Sequence, residues 1–310
     1  MKRSVFIFAA LFLSLVVAGT THGQELKGTL TLSGAWAIYP TAVAWGEEFQ
    51  KLHPGVKVDI SAGGAGKGAS DAIAGLVDIG MVSREPDPAE LAKGITPVYV
   101  LHDAVFPVVS DKNPALPAIL RKGMTVKAFA EIYVTGTLAA WDAAVGSKSD
   151  RPIHVYTRSD SCGAAAAWAA PFGKKQEDLK GIGVFGDPGL LQAVLRDPIG
   201  LGYNNFSYVF TREGKLVTGA RLVPIDANGN GKADPEEIFT DRKSAVAAIE
   251  AGKYPVTRKN YFFVKGKQTG LVKEFLKFAL SEEGTKVVEA VGTSLPIPIA
   301  ERQKILGELN

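Results

Sequence analysis

The sequence predicts an α/β fold in which successive strands each end in a short loop. Three apolar segments, residues 30–32, 56–60 and 77–81, have the pattern of strands, and each is followed by a loop of small residues. Open α/β sheets place their ligands at the carboxyl ends of such strands. The chain has 310 residues and is 46% hydrophobic, which is ample for two lobes of ordinary domain size. We therefore expect two α/β lobes with a site at the strand ends.

The start of the chain has the pattern of a signal peptide. Two basic residues precede an apolar run over residues 5–18, and small and polar residues follow up to Gly23. The run is short for a membrane span, so we expect residues 1–23 to be a cleaved signal peptide and the mature protein to be exported and soluble. The single cysteine, Cys162, lies far from the cleavage region. We therefore expect no lipid anchor at the new N-terminus, and a single cysteine cannot form an intramolecular disulfide.

The charge of the chain argues against nucleic acid and anionic membranes as partners. The formal net charge is +3, and it falls to +1 once the two basic residues of the signal peptide are removed. His53, His102 and His154 are scattered without the spacing of metal ligands. No organic cofactor is expected, because the glycine-rich loop at residues 62–68 lacks the Gly-Lys-Ser/Thr ending of a nucleotide loop and the spacing of a dinucleotide fingerprint. That loop is open to two interpretations, a tight turn or a nest of backbone N–H groups for an anion.

The remaining elements follow from apolar spacing and from turn residues. Helical spacing predicts helices at residues 41–52, 69–75, 126–134, 190–195, 273–280 and 284–291, with a short helix at the end of the chain. Further strands are expected at residues 153–156, 199–203 and 221–225. The long apolar run at residues 99–109 could cross between the lobes.

The loop from Arg158 to Ala165 is the leading candidate for an anion site. An apolar strand runs into it and an alanine-rich helical pattern runs out of it. The first turn of a helix has unpaired N–H groups and carries the positive end of the helix dipole, so it favours an anion. Arg158 adds a fixed positive charge with five donors just before the turn.

Five short segments of the chain form an ordered set. They are Gly34 with Tyr39 and Pro40, residues 63–66, residues 77–84, Arg158 with Cys162 and Gly163, and residues 199–203. Together with the signal peptide, this set resembles the periplasmic phosphate-binding proteins of ABC transporters over essentially the whole mature chain.

The resemblance implies a two-lobe periplasmic-binding-protein fold, each lobe a mixed, mostly parallel sheet flanked by helices. One lobe would comprise residues 25–108 plus 258–310, and the other residues 109–257, with two strands crossing between them. The lobes would close over phosphate or a related oxyanion. The resemblance further implies a monomeric binding protein rather than an enzyme, with the membrane permease subunits of an ABC transporter as its partners.

The resemblance also implies the ligand-contacting positions, and this chain departs from the family at several of them. The implied residues are Ala35, Trp36, Ala37, Ala65, Gly66, Ser83, Arg84, Arg158, Asp160, Ser161, Cys162, Gly163 and Ala164. The family usually has hydroxyl side chains in the first two loops, Asp at the position of Ser83, and Ser and Thr at those of Cys162 and Ala164. Backbone N–H donors survive such changes, but about four side-chain contacts worth ~1–3 kcal/mol each are lost. We therefore expect inorganic phosphate to bind much more weakly than in the family.

Several functions remain open at this point. The protein is a phosphate carrier, a carrier of another oxyanion or of a larger phosphorylated or carboxylated molecule, or a receptor or sensor without a transport role. Trp36 favours a larger ligand if its indole lines the cleft, and carries no such meaning if it packs in a core. A thiol enzyme is a remote alternative, because Cys162 at a helix N-terminus beside Arg158 should have a lowered pKa. The sequence places no general base beside that cysteine.

A second candidate site has the pattern of a twelve-residue calcium loop. Its oxygen ligands would be the side chains of Asp226, Asn228, Asn230, Asp234 and Glu237 and the backbone carbonyl of Lys232, with Gly231 at the sixth position. The preceding segment has the pattern of a strand, so the paired helices of a calcium sensor are not expected. We therefore predict a structural calcium site; the alternative is an acidic turn that binds nothing.

Overall fold

The computed structural model describes residues 25–309, and the predicted signal peptide lies outside the described residues. The strands are β1 Gly28–Gly34, β2 Val56–Ala62, β3 Ile79–Val82, β4 Ile95–Ser110, β5 His154–Arg158, β6 Ile182–Val184, β7 Gly200–Asn205, β8 Ala220–Leu222, β9 Thr257–Lys265 and β10 Leu295–Pro296. The helices are α1 Tyr39–Leu52, α2 Ala65–Ala74, α3 Pro88–Leu91, α4 Leu116–Lys122, α5 Val126–Ala130, α6 Trp141–Val145, α7 Gly163–Ala169, α8 Gly186–Arg196, α9 Phe206–Val209, α10 Arg242–Glu250, α11 Gly270–Ala279, α12 Glu282–Val291 and α13 Ile299–Leu309. Across residues 25–309, no helix has the length and apolar character needed to span a bilayer.

The strands form one mixed sheet whose two ends belong to two lobes. Its order is β2-β1-β3-β9-β4-β7-β5-β6, and β8 and β10 also pair with β4. At one end β1 runs parallel to β2 and β3, and at the other end β5 runs parallel to β6 and β7. Strands β4 and β9 are antiparallel to each other and to their neighbours in each lobe. The α/β class and the mixed sheets flanked by helices are therefore confirmed.

Each lobe has its own hydrophobic core. The rings of Trp45, Phe262 and Phe275 lie in the first core, which packs α1, α11 and α12 against β1, β3 and β9. Phe106 and Trp168 lie in the second core, which is built on β4, β5 and β7. Burial of these large rings contributes to the hydrophobic free energy that holds each lobe together.

Strands β4 and β9 cross from one lobe to the other. In β4, Leu101 belongs to the first core and Ala104 to the second. On the return path, Val256 belongs to the second core and Tyr261, in β9, to the first. The apolar run at residues 99–109 is therefore part of a crossing strand, and its apolar residues serve both cores.

Helix α2 lies directly against β1 and β3 because glycines face each other at the contact. A Cβ on Gly34 would come within 2.7 Å of the Cα of Gly68, and one on Gly80 within 2.9 Å of the Gly68 carbonyl carbon. The helix begins at Ala65 rather than at residue 69 as the apolar spacing predicts. Gly64 explains the difference, because its φ of 93° turns the chain sharply enough to start the helix directly after the loop.

The single helix predicted at residues 126–134 is wrong in detail. Helix α5 ends at Ala130, and a π turn, Glu131–Thr135, continues to Gly136. The apolar residues of this segment, including Ile132 and Tyr133, still face the second core. The hydrophobic pattern therefore located the buried face correctly without revealing the change in winding.

Candidate ligand-binding site

The loops that follow the parallel strands of the two lobes meet each other. The backbone N–H of Gly66, after β2, donates to the carbonyl oxygen of Ser161, after β5, at 3.0 Å. The Tyr208 hydroxyl, on the short helix after β7, donates to the carbonyl oxygen of Trp36, after β1, at 3.3 Å. Parallel strands from both lobes thus point their carboxyl ends at one cleft, which is where open α/β sheets bind ligands.

Glycines allow the two lobes to approach to backbone contact. A Cβ on Gly64 would lie 2.6 Å from the carbonyl oxygen of Ser161, and one on Gly66 would overlap the side chain of that serine. A Cβ on Gly163, at the start of α7, would overlap both the carbonyl oxygen and the hydroxyl of Ser83. The structure is therefore a closed arrangement of the lobes, and these glycine positions tolerate no side chain in it.

Arg158 lies at the centre of the cleft, fully buried and bound by two carboxylates. Its Nε donates to Asp160 Oδ1 at 2.8 Å, and its Nη1 donates to Asp187 Oδ2 at 2.5 Å. The Arg158 side chain has 0% of its surface exposed and that of Asp187 has 1%. Burial alone would lower the pKa of the guanidinium, but Asp187 and Asp160 outweigh this effect and raise that pKa. Burial raises the pKa of Asp187, and Arg158 offsets only part of that rise.

A second buried arginine joins the crossing strands to this cluster. Arg258, in β9, donates from Nε and Nη2 to the two carboxylate oxygens of Asp103, in β4, at 2.8 and 3.0 Å. Its Nη2 also donates to the side-chain oxygen of Asn205, at the end of β7. The backbone N–H of Asn205 in turn approaches Asp187 Oδ1 at 3.4 Å. Polar contacts therefore run from the crossing strands to Arg158.

Most of the other implied site residues contribute backbone or small side chains. Ala35, Ala37, Ala65, Cys162, Gly163 and Ala164 are buried. Ser83 is also buried, against Gly163. Arg84 points its guanidinium at Glu90, with Nη1 and Nη2 at 2.9 and 2.6 Å from the two carboxylate oxygens. That pairing raises the pKa of Arg84 and leaves the cleft with Arg158 and Arg258 as its buried cations.

Trp36 packs between the lobes. Its ring lies edge-on to Phe185, with centroids 6.1 Å apart, and tilted against Tyr39 at 6.4 Å. A Cβ on Gly186 would lie 3.2 Å from the indole. Trp36 therefore lies neither wholly inside the first core nor free in solvent. It packs against the loop that leads into α8 of the other lobe.

Residues 19–283 match the model of the PBP superfamily domain. The chain belongs to the PBP superfamily. A PBP relative, phosphate-binding protein PstS from Bacillus subtilis (strain 168), is 27% identical over 274 residues, which cover 88% of this chain and 82% of that protein. Relatives at this distance support a shared fold along nearly the whole PBP chain.

Solved structures give the same PBP architecture. A phosphate ABC transporter substrate-binding protein with bound phosphate from Clostridium perfringens aligns with a TM-score of 0.72 and 24% identity, covering 87% of this chain and 100% of that one. An ABC-type phosphate transport receptor from Vibrio cholerae aligns with a TM-score of 0.65 and 19% identity, with the same coverage. At these identities the likeness establishes the fold of this PBP chain.

The prediction of a lowered pKa for Cys162 is wrong. Burial raises the pKa of this thiol to about 12, and the nearby Arg158 charge offsets only part of the effect. The Sγ atom accepts the backbone N–H of Ala165 at 3.4 Å and so caps α7. A thiol that is protonated at neutral pH and buried is not a nucleophile, so the structure gives no support to a thiol enzyme.

We expect the native protein to react slowly with a thiol reagent such as a chromogenic disulfide. Cys162 is only 4% exposed and almost entirely protonated below pH 9, because its pKa is about 12. The rate of thiol release should rise by at least about a hundredfold when the protein is unfolded in guanidinium chloride, where the thiol regains an ordinary pKa. Fast labelling of the folded protein at pH 7 would contradict the burial.

Two carboxylates of the predicted calcium loop accept hydrogen bonds from the backbone of the loop itself. Asp226 accepts the backbone N–H groups of Asn230 and Gly231 at 3.1 and 2.9 Å. Glu237 accepts those of Ala227 and Asp234 at 2.8 and 3.0 Å. In the part of the chain that the structure describes, no group of three or more His, Cys, Asp or Glu side chains is arranged to hold a metal. Calcium binding therefore stays a prediction.

Sequence reasoning missed three residues of the cleft, Asp187, Asn205 and Arg258. Asp187 follows the short strand β6 in a Gly-Asp-Pro segment that opens a helix, which is a local signal for a loop at the sheet edge. Arg258 and Asn205 carry no local signal, because their partners lie far along the chain.

Proposed function

We propose that this protein is an exported solute-binding protein that captures phosphate or a related oxyanion between its two lobes. The observation that carries the proposal is the meeting of strand-end loops from both lobes around buried Arg158. Backbone N–H groups and arginine donors at such an edge suit an anion. The names of the Bacillus subtilis and Vibrio cholerae proteins, a phosphate-binding protein and a phosphate transport receptor, support phosphate as the first ligand to test.

The charges in the cleft favour recognition by hydrogen bonds over recognition by net positive charge. The two charges of Arg158 and Arg258 face three buried or half-buried carboxylates, those of Asp103, Asp160 and Asp187, so the arginines bring no excess of positive charge. An incoming anion therefore meets arginines whose charge is already balanced, which weakens long-range attraction. Together with the missing hydroxyls, this balance supports an affinity for inorganic phosphate well below that of the named phosphate carriers.

The location and partners of the protein are part of the same proposal. We propose cleavage of residues 1–23, a periplasmic monomer without a lipid anchor, and delivery of the ligand to ABC permease subunits. The relatives named above are transport and binding proteins rather than enzymes, which supports a role without catalysis here. A receptor or sensor that uses the same closure is the second candidate, and Trp36 in the cleft favours a larger phosphorylated or carboxylated ligand over phosphate for either role.

Calorimetric titration of the mature protein tests the ligand. Phosphate, sulfate, molybdate and small organic phosphates are added in turn at fixed ionic strength, since exposed charges are screened by salt. We expect saturable binding of at least one of these oxyanions. Binding that favours an organic phosphate over phosphate would select the larger-ligand candidate, and no binding of any anion would overturn the proposal.

We also propose that residues 226–237 bind calcium as a structural ion. Asp226, Asp234 and Glu237 bring three carboxylates into one short loop, and without a cation their repulsion should loosen it. An ion that binds only the folded state stabilises it by about 2.7 kcal/mol at a hundredfold excess over its Kd, so millimolar calcium should raise the Tm by several degrees. Magnesium should raise the Tm less, because it demands stricter octahedral geometry.

The control for calcium is the Glu237→Gln variant. In the structure Glu237 accepts two backbone N–H groups, so the variant should lose a little stability even with a chelator present. The informative quantity is therefore the difference in Tm between calcium and chelator, measured for each protein by calorimetry. This difference should be smaller in the variant. Equal differences in wild type and variant would mean that the loop is an acidic turn that binds no calcium.

A further inference from the structure

Four side chains around the cleft contain buried polar atoms that have no hydrogen-bond partner among the described residues. They are Trp36 Nε1, Ser207 Oγ, Arg258 Nη1, and both amide atoms of Asn260. Asn260 is 0% exposed, and the Arg258 side chain is 5% exposed. Buried donors and acceptors are nearly always paired, so each of these atoms calls for an explanation.

These side chains come from different elements that meet at the cleft. Trp36 follows β1, and its carbonyl oxygen receives the hydroxyl of Tyr208, the residue next to Ser207 on α9. Arg258 reaches Asn205, which directly precedes α9. These contacts place Trp36 and Arg258 beside α9, the helix that carries Ser207.

Asn260 lies where the pairing between β3 and β9 ends. Pairing between β3 and β9 ends at Val82 and Tyr261, so Asn260 is the first residue of β9 beyond the last pair. It shares a strand face with Arg258, because side chains two positions apart point the same way. The next residue after β3 is Ser83, which packs against the second lobe at Gly163.

Two unpartnered groups of the second lobe, the Tyr133 hydroxyl and the Trp168 indole N–H, do not have this setting. The Tyr133 hydroxyl and the Trp168 indole N–H also have no partner among residues 25–309, but their rings pack edge to face in the second core with centroids 5.6 Å apart. They therefore provide a comparison set of similar chemistry that does not border the cleft.

We propose that Trp36, Ser207, Arg258 and Asn260 contact the oxyanion group of the bound ligand, which offers several acceptor oxygens. This inference rests on the proposed function and specifies which side chains contact the ligand. Trp36 Nε1, Arg258 Nη1 and the Asn260 amide nitrogen donate to the ligand oxygens, and the Ser207 hydroxyl adds a further donor. They take the place of the hydroxyl donors that this chain lacks at Ala35 and Ala65. Most of these donors are neutral, which fits a cleft whose arginine charges are already balanced.

The test measures affinity in two variants and one control by calorimetry, with whichever of phosphate, sulfate and molybdate the wild type binds most tightly. Asn260→Leu keeps the size of the side chain and removes both unpartnered atoms, so the ligand-free Tm should stay the same or rise. Trp36→Phe keeps an aromatic ring against Phe185 and removes the indole N–H. Each variant should raise the Kd at least about tenfold, the usual effect of losing one buried hydrogen bond. Trp168→Phe removes an unpartnered N–H away from the cleft and should leave the Kd unchanged.

The outcomes separate this inference from the proposed function. If the wild type binds an anion and both variants bind it equally well, the assignment of these contacts is overturned and the proposed function stands. If Asn260→Leu does not fold, the Kd of Trp36→Phe alone decides whether the assignment of these contacts holds. If the wild type binds none of the three anions, the proposed oxyanion function fails for these ions and the assignment fails with it.

Discussion

Replacing Arg158 with methionine is expected to cost about 3–5 kcal/mol of the free energy of unfolding. The guanidinium is fully buried between Asp160 and Asp187, and its removal leaves buried carboxylates without their counter-charge. Urea denaturation at pH 7.5 measures the loss. The matched control is Arg84→Met, because the Arg84–Glu90 pair is partly exposed, with 24% and 13% of the side chains accessible. This control should lose about 1 kcal/mol or less.

The loss in Arg158→Met should depend on pH. Burial already raises the pKa of Asp187, and removing Arg158 takes away the interaction that holds it down. The folded variant then binds a proton more readily than the unfolded chain, so its stability rises as the pH falls through the folded pKa. The difference between wild type and variant should therefore shrink from pH 7.5 to pH 5. Adding Asp187→Asn to the variant should recover part of the loss at pH 7.5. A loss that is the same at both pH values and in the double variant would contradict a buried ion pair.

The fold was predictable because its signals are local. An apolar strand, a small-residue loop and a helical pattern occupy neighbouring residues, and their order indicated an α/β sheet with a site at the strand ends. The loop at Arg158 was found in the same way, since strand β5 and helix α7 flank it. The error at the start of α2 came from a backbone conformation that favours glycine, the one Gly64 adopts.

The electrostatics of the cleft could not be predicted, because they depend on residues that are distant in sequence. Arg158 and Asp187 are 29 positions apart, and Asp103 and Arg258 are 155 apart. From the local sequence, Arg158 was expected to be a free positive charge that lowers the pKa of the Cys162 thiol. The fold instead buries both, balances the arginine with carboxylates, and raises the thiol pKa to about 12.

Small residues at the lobe contact have a functional meaning that the sequence alone did not reveal. Ala65, Gly66 and Gly163 were identified from the family resemblance as ligand positions, yet Gly66 and Gly163 also decide how closely the lobes approach. The lost hydroxyl side chains and the close backbone contacts lie at neighbouring positions of the same loops, the former at Ala65 and Ala164 and the latter at Gly66 and Gly163. The approach of the two lobes therefore depends on the absence of side chains at Gly66 and Gly163.

Gly163→Ala is expected to weaken ligand binding by about tenfold to a hundredfold by keeping the lobes apart. The added methyl group would overlap the Ser83 carbonyl oxygen and hydroxyl across the closed cleft. Overpacking of this kind typically costs 1–3 kcal/mol, and 1.4 kcal/mol corresponds to a tenfold change in affinity. Each lobe keeps its own core, so the ligand-free Tm should change little. Gly307→Ala in α13 is the control, because no atom lies within 4 Å of its added Cβ, and its affinity should equal that of wild type.

Solution X-ray scattering with saturating ligand distinguishes blocked closure from a lost ligand contact. Wild type and Gly307→Ala should become more compact when the oxyanion is added, since ligand binding favours the closed arrangement of the lobes. Gly163→Ala should keep a larger radius of gyration at the same ligand saturation. The close contact of Gly163 with Ser83 would be irrelevant to function if the variant bound as tightly as wild type and compacted to the same radius. A weaker affinity with normal compaction would instead identify Gly163 as a ligand contact, because closure itself would then be intact.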